Sequence, residues 1–254
     1  MTGIYFSGTG NTRWCMRQLL EGLGEDEGAL CPLEAAATAG RLREAEEIVF
    51  GYPVYYSNLP KIVRDFIEQN AALWQGKKVF VLATMGMFSG DGAGLAARLL
   101  KKHGAEITGG LHVQMPDCIA DVKALKKPLE QNRRIVEDAK GKLRGAAEQM
   151  KNGKPPRAGL SFGSHLAGLF GQRLYFSQKT AAYTDKLKID SRKCVGCGLC
   201  AGLCPMQNLT IEQGKAAAHG SCTMCYRCVC RCPQQAITLL GKEIVEQSVI
   251  EKYI

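Results

Sequence analysis

Ile4-Tyr-Phe-Ser7-Gly8-Thr9-Gly10-Asn11-Thr12 opens the 254-residue chain by running from a short apolar stretch, through small and hydroxylated residues, into a helical pattern from about Thr12 to Leu23. Small residues let successive backbone N–H groups converge on one point. The hydroxyls of Ser7, Thr9 and Thr12 add donors, and a helix N-terminus adds the positive end of its dipole. Together they suit a terminal phosphate. No Gly-Lys-Ser/Thr follows, which disfavours ATP, and Arg13 stands where the dinucleotide fingerprint has its third glycine. An ordinary strand-to-helix turn uses the same residue types.

Working outward, the first 150 residues repeat the same alternation. Glu47 to Val54 precedes a helical pattern from about Pro60 to Gln69, and Lys77 to Thr84 precedes one from Asp91 to His103. Glu106 to Gln114 precedes a charged one within 131–150, and a weak strand lies around Ala29 to Leu33. Five such units predict a parallel sheet covered by helices on both faces. Lys151-Asn-Gly-Lys-Pro-Pro-Arg157 is a break that a helix cannot cross. Residues 159–183 mix leucines and phenylalanines with glycines. They read as a connecting helix packed on both halves, or as a membrane-surface helix with too few basic residues to be a strong one.

The other half is defined by its cysteines. Nine of the 12 fall within residues 194–232. They form Cys194-Val-Gly-Cys197-Gly-Leu-Cys200-Ala-Gly-Leu-Cys204-Pro and Cys222-Thr-Met-Cys225-Tyr-Arg-Cys228-Val-Cys230-Arg-Cys232-Pro. Each is C-x2-C-x2-C-x3-C-P. Two-residue spacing lets three sulfurs wrap three corners of a cubane, while the fourth, turned away before proline, reaches the other cluster. Cys194, Cys197, Cys200 and Cys232 are thus expected to hold one 4Fe-4S cluster, and Cys222, Cys225, Cys228 and Cys204 a second. Paired CxxC motifs also bind zinc, but zinc takes four tetrahedral ligands and does not account for two four-cysteine runs each closed by proline. Cys230 is a ninth thiol with no corner to fill, and is expected to be spare. Leu187 to Asp190, Asn208 to Ile211, a turn at Gly214-Lys-Ala and Ala236 to Leu239 frame a pseudo-repeat. Residues 186–241 resemble the bacterial ferredoxins that carry two such clusters.

Two loops join the phosphate loop at the carboxyl ends of strands, where an open α/β sheet binds its ligand. The third strand ends in Pro53-Val54-Tyr55-Tyr56, and the fourth in Thr84-Met85-Gly86-Met87-Phe88-Ser89-Gly90. Aromatic faces and glycines there suit a flat ring with a polar edge. With the phosphate loop, the set resembles the flavodoxin family. That resemblance implies strand order 2-1-3-4-5 and bound FMN, with Ser7 to Thr12 on its phosphate and the residues of these two loops around its ring. The whole chain is similar to the flavodoxin-ferredoxin fusions of anaerobic prokaryotes. The expected architecture is a flavodoxin-like doubly wound five-stranded α/β domain (1–155), a connecting helical segment (156–185), a small α+β ferredoxin-like domain (186–241) and a tail (242–254).

Composition narrows the function. At 46% hydrophobic and 22% charged residues, the chain is of the folded globular class, which excludes disordered and fibrous ones. The first residues carry no basic n-region before an apolar one, and Val79 to Phe88 is too short to span a membrane, so a cytoplasmic protein with no membrane span is expected. The formal charge of +9 would suggest nucleic acid. Two clusters at roughly −2 each and a flavin phosphate at about −2 bring it to about +3, so no nucleic-acid partner is expected. Cys118, just after the fifth strand, reads as an ordinary loop thiol, with a redox thiol near the flavin edge as the alternative; Cys15 and Cys31 read as core, and the four histidines form no ligand pair. No catalytic acid or base stands out. The expected function is an electron relay between the clusters and FMN, serving redox partner proteins or a small-molecule acceptor. The alternative is an FMN-dependent reductase fed by its own clusters, which a substrate-sized pocket over the flavin ring would favour.

Overall fold

The computed structural model describes residues 1–87, 91–161, 163 and 186–254. Most of the segment read as a connecting helix, and Phe88, Ser89 and Gly90, lie outside them. Five parallel strands form one sheet in the order β2-β1-β3-β4-β5: β1 (Thr2–Tyr5), β2 (Leu30–Pro32), β3 (Glu47–Pro53), β4 (Lys78–Met85) and β5 (Glu106–Gln114). Ile4 lies beside Phe50, Phe50 beside Val81 and Val81 beside Gly110. The central strands are unbroken apolar runs because both their faces are covered, and β4 is buried from Val79 to Met85.

Helices α1 (Asn11–Leu23) and α5 (Leu129–Lys151) cover one face, where Trp14, Met16, Leu19 and Leu20 meet Val136, Leu143 and Ala147. Helices α2 (Thr38–Glu44), α3 (Lys61–Gln69) and α4 (Gly92–Lys102) cover the other, around Leu42, Phe50, Phe66, Trp74 and Leu100. The charged residues of α1 fall on its outer side, and Gly24, at φ 92, closes the helix in a left-handed turn. The chain breaks after α5 as its sequence requires, but does not leave the sheet. Gly110 N donates to Pro156 O and Ala158 N to Gly110 O, both at 2.8 Å, so residues 156–158 cover the free edge of β5.

The cysteine-rich part contains two antiparallel pairs, β6 (Lys188–Ile189) with β9 (Ile237–Thr238) and β7 (Leu209–Glu212) with β8 (Lys215–Ala218). Two single-turn helices accompany them, α6 (Leu199–Leu203) and α7 (Arg227–Arg231). The turn read at Gly214-Lys-Ala is centred one residue earlier, on Gln213 and Gly214, both at positive φ; Lys215 and Ala216 already belong to β8. The tail packs back on the α/β domain, with Ile250 and Tyr253 buried against the α1 and α5 face. Among the described residues no helix is long and apolar enough to cross a membrane.

Candidate functional site

The phosphate loop sits where β1 hands over to α1, at the carboxyl edge of the sheet. Ser7, Gly8, Thr9, Asn11 and Thr12 line a cavity of about 390 Å3. Ser7 is buried, and its Oγ has no hydrogen-bond partner among the described residues. A buried hydroxyl left so costs about 1–3 kcal/mol, and a phosphate oxygen would satisfy it. Thr12 Oγ1 lies 2.8 Å from Thr84 Oγ1, tying the loop to the end of β4. Asn11 Nδ2 donates to Pro116 O at 2.8 Å. Gly10 faces away. It holds φ 98, and a Cβ there would stand 2.4 Å from Ile250 Cγ2 in the tail, whose N–H donates to Thr9 O.

The two ring loops border the same cavity. Pro53, Val54, Tyr55, Tyr56, Thr84, Met85, Gly86 and Met87 all line it. Val54 N donates to Thr84 O at 2.8 Å, which joins the loops at their roots. Tyr55 and Asn58 exchange backbone hydrogen bonds around Tyr56 and Ser57, which hold φ 51 and 57. Both central positions are left-handed, as in a type I′ turn, and at non-glycine residues this costs roughly 1–2 kcal/mol each. Such strain persists where surrounding structure imposes it, and it clusters at ligand sites.

A third wall, which sequence reasoning raised only as the alternative for Cys118, is the loop after β5, where Met115 to Ile119 border the cavity. Burial raises the Asp117 carboxyl above its ordinary range, and a Cβ on Gly86 would stand 2.7 Å from Asp117 Oδ2, so the two loops approach closely there. Cys118, read as an ordinary loop thiol, belongs to this wall. Burial drives its thiol well above the usual value, so it stays protonated.

The eight expected cluster ligands divide between two smaller cavities. Cys194, Cys197, Cys200 and Cys232 border one, and Cys204, Cys222, Cys225 and Cys228 the other; Cys230 borders neither. Each quartet surrounds a space instead of closing on a point. Among the described residues no three His, Cys, Asp or Glu side chains gather around a single ion. Backbone N–H groups point at the sulfurs in matching places: Asn208 N at Cys204 Sγ and Ala236 N at Cys232 Sγ, four residues on in each run, at 3.3 and 3.4 Å. Ala216 N donates to Cys194 Sγ and Met224 N to Cys222 Sγ. Such bonds favour thiolate, and with Gly196 N they lower the Cys194 pKa. Burial instead pushes Cys225 up to about 12 and Cys228 upward as well, so these sulfurs ionise only against a compensating cation such as iron. The donor chemistry fits an iron-sulfur group.

The quartets differ in exposure. In the first run Cys197 is exposed, between Val195 at 62% and Leu199 at 44% exposure. In the second run Cys222, Cys225 and Cys228 are buried, Cys225 in the core cluster of the α/β domain and the other two within the cysteine-rich part. A Cβ on Gly8 would stand 2.2 Å from Cys225 O and 2.7 Å from the Tyr55 hydroxyl, so the phosphate loop and the second run touch backbone to backbone. Arg227 donates to Ser7 O at 2.7 Å and pairs with Glu34, its guanidinium 5.7 Å from the Phe6 ring centre. Tyr226 donates its hydroxyl to Asp121 Oδ1 at 2.9 Å, and Asp121 Oδ2 accepts from Leu239 N and Leu240 N. Met224, Tyr226 and Leu240 complete the wall of the large cavity, a contribution from the cysteine-rich part that sequence reasoning missed.

Comparison with known proteins agrees with this division. A family model described as a flavodoxin domain matches residues 4–122, and one described as a 4Fe-4S binding domain matches 187–210, which takes in the first cysteine run. No curated protein matches the chain. Among solved structures it is similar to Megasphaera elsdenii flavodoxin, at 27% identity over 46% of this chain and 89% of that one, with a TM-score of 0.41. It is also similar to a flavodoxin from the domain Archaea, at 18% over 59% and 99%, TM-score 0.42. An azoreductase from Bacillus anthracis follows at 13% over 59% and 100%, TM-score 0.39. The chain carries a flavodoxin domain followed by a 4Fe-4S binding domain, the combination of an electron-transfer protein that works with flavin and iron-sulfur chemistry.

Proposed function

We propose that the chain is an internal electron relay, in which two 4Fe-4S clusters serve one FMN. The outer cluster is held by Cys194, Cys197, Cys200 and Cys232, and the inner one by Cys222, Cys225, Cys228 and Cys204. FMN binds in the large cavity, with its phosphate on Ser7 to Thr12. In this reading residues 1–155 carry the flavin and 186–241 the clusters, 156–185 join them, and 242–254 brace the phosphate loop. A cluster exchanges one electron at a time and FMN one or two, so together they convert between one-electron and two-electron partners.

The observation that carries the reading is that the second cysteine run is itself a wall of the flavin cavity. Cys225 of the inner quartet abuts the phosphate loop while Cys197 of the outer one is exposed, which orders the path from a redox partner inward. Carrier is favoured over reductase by space. A cavity of about 390 Å3 lies near the small end of single-ligand sites, and its borders include Met224, Tyr226 and Leu240. A second cavity, about 320 Å3 beside Met1, Glu47 and Pro155, lies at the opposite end of the sheet.

Anaerobic reconstitution with iron, sulfide and FMN tests the relay. About eight irons per chain are expected, together with one flavin whose reduction by a one-electron protein donor requires the iron. Two zinc ions without acid-labile sulfide, or a flavin reduced equally fast in iron-free protein, would reject it. Ser7→Ala probes the phosphate site. Removing a partnerless buried hydroxyl is expected to raise the melting temperature of the flavin-free protein slightly. The same change weakens FMN binding about tenfold, the ~1.4 kcal/mol of one hydrogen bond to a charged group. Unchanged affinity in a fluorescence titration would move the phosphate elsewhere.

A further inference from the structure

The two cysteine runs are backbone repeats of one another, and four of the places where their side chains differ lie where the second run meets the α/β domain. Gly196 and Met224 occupy the same position, at φ 68 and 57, and so do Gly198 and Tyr226, at φ 79 and 58. Gln207 and Gln235 repeat the match at φ 51 and 48. The first run meets the left-handed positions between its first three cysteines with glycine, the residue that takes them without strain. The second run puts two large side chains there. Two further pairs diverge in the same sense. Val195 is exposed, whereas its counterpart Thr223 is buried and accepts from Ile62 N at 3.5 Å. Leu199 is exposed, whereas Arg227 reaches Ser7 and Glu34.

We propose that Tyr226 is a positioning residue for the flavin site, and that with Met224 it forms a built-in cover that seats the inner cysteine run on the cavity and keeps water from it. Both side chains line the cavity, Met224 is 8% exposed and Tyr226 2%. Asp121 sets the angle of the cover. It takes the Tyr226 hydroxyl on one oxygen and the Leu239 and Leu240 amides on the other, joining the loop after β5 to both the second run and the end of β9. A strained backbone held in place by this many independent contacts is the pattern expected where conformation serves a site. Tyr226 makes the contact and needs no charge of its own; its role is to fix where Cys225 and the cavity wall stand.

The inference rests on FMN occupying the cavity, and the experiment separates the two. Cluster-loaded protein is titrated with FMN, and the rate at which dithionite electrons arriving through the iron reduce the flavin is then followed. Two electrons from the oxidation of dithionite, with protons from water, reduce one flavin. Tyr226→Gly, which copies the residue of the first run, is expected to keep the wild-type iron content. Its FMN dissociation constant rises at least tenfold and its flavin reduction slows at least tenfold. Tyr226→Phe, which keeps the ring but not the bond to Asp121, is expected to bind FMN within about threefold of wild type. It still reduces the flavin at least threefold more slowly, a split that loss of packing alone would not produce. Wild-type affinity and rate in the glycine variant would overturn the proposal. If that variant loses iron, the phenylalanine variant decides, and a wild-type rate in it has the same consequence. Wild-type protein that takes up no FMN would instead overturn the reading of the cavity itself.

Discussion

Gly8→Ala is expected to detach the two halves of the molecule at the point where their cofactor sites meet. The added methyl would lie 2.2 Å from Cys225 O and 2.7 Å from the Tyr55 hydroxyl. Neither neighbour yields easily. Cys225 belongs to a run anchored by Arg227 on one side and by Tyr226 with Asp121 on the other, and Tyr55 is buried within the core of the α/β domain. Overpacking of this kind costs about 1–3 kcal/mol. Because backbone itself must move, we expect a loss at the upper end of that range. FMN affinity should fall by more than tenfold, since the phosphate loop is the part displaced. Thermal unfolding and a flavin titration measure the two effects. A variant that melts and binds like the wild type would show that the halves do not meet as described.

Cys204→Ser is expected to have the other large effect. Cys204 lies in the first run but borders the inner cavity with Cys222, Cys225 and Cys228. Its loss should lower the iron content from about eight to about four per chain and leave the outer cluster in place. Flavin reduction through the iron should then fail, because in the proposed relay the lost cluster is the one beside the cavity. Iron and sulfide analysis with electron paramagnetic resonance reads the first effect, and stopped-flow reduction the second. Cys230→Ser is the comparison. Cys230 is buried, and its Sγ lies 3.6 Å from Cys118 O outside both quartets, so the variant should retain all its iron. Loss of a cluster in Cys230→Ser, or full iron in Cys204→Ser, would redraw the ligand sets.

Much of the α/β domain was legible because its signals are local. The span Glu106–Gln114 forms β5, and α1 begins and ends within a residue of the pattern that announces it. The seven-residue α2, Thr38–Glu44, had no comparable signal, since it buries only Thr38 and Leu42. In the cofactor region the phosphate and ring loops converge because strand ends of a parallel sheet lie on one edge, which alternation alone implies. The loop after β5 reaches the same edge by the same rule, yet Met115-Pro-Asp-Cys118 carries no composition that distinguishes a binding wall from an ordinary turn. One signal was available and unread. Methionine and tyrosine in the second run stand where the first run has glycine, and a pseudo-repeat that abandons glycine at a left-handed position is marking a contact.

By itself, the sequence pointed to the two cofactor classes and the order of the two parts, and it set two four-cysteine runs in the cysteine-rich part. Each depends on chemistry repeated at fixed short spacing, and the backbone converts spacing into geometry within a turn or two. The tertiary structure alone decided that Cys197 is exposed while Cys225 is buried beside the phosphate loop. It also decided that the cavity has a wall from the cysteine-rich part, and that the tail braces the phosphate loop. Those arrangements hang on contacts such as Tyr226 with Asp121, 105 residues apart, and Arg227 with Ser7, 220 apart. No local pattern encodes such a partner. It is selected by the fit of two surfaces that exist only after each part has folded, with Gly8 leaving the gap and Cys225 filling it.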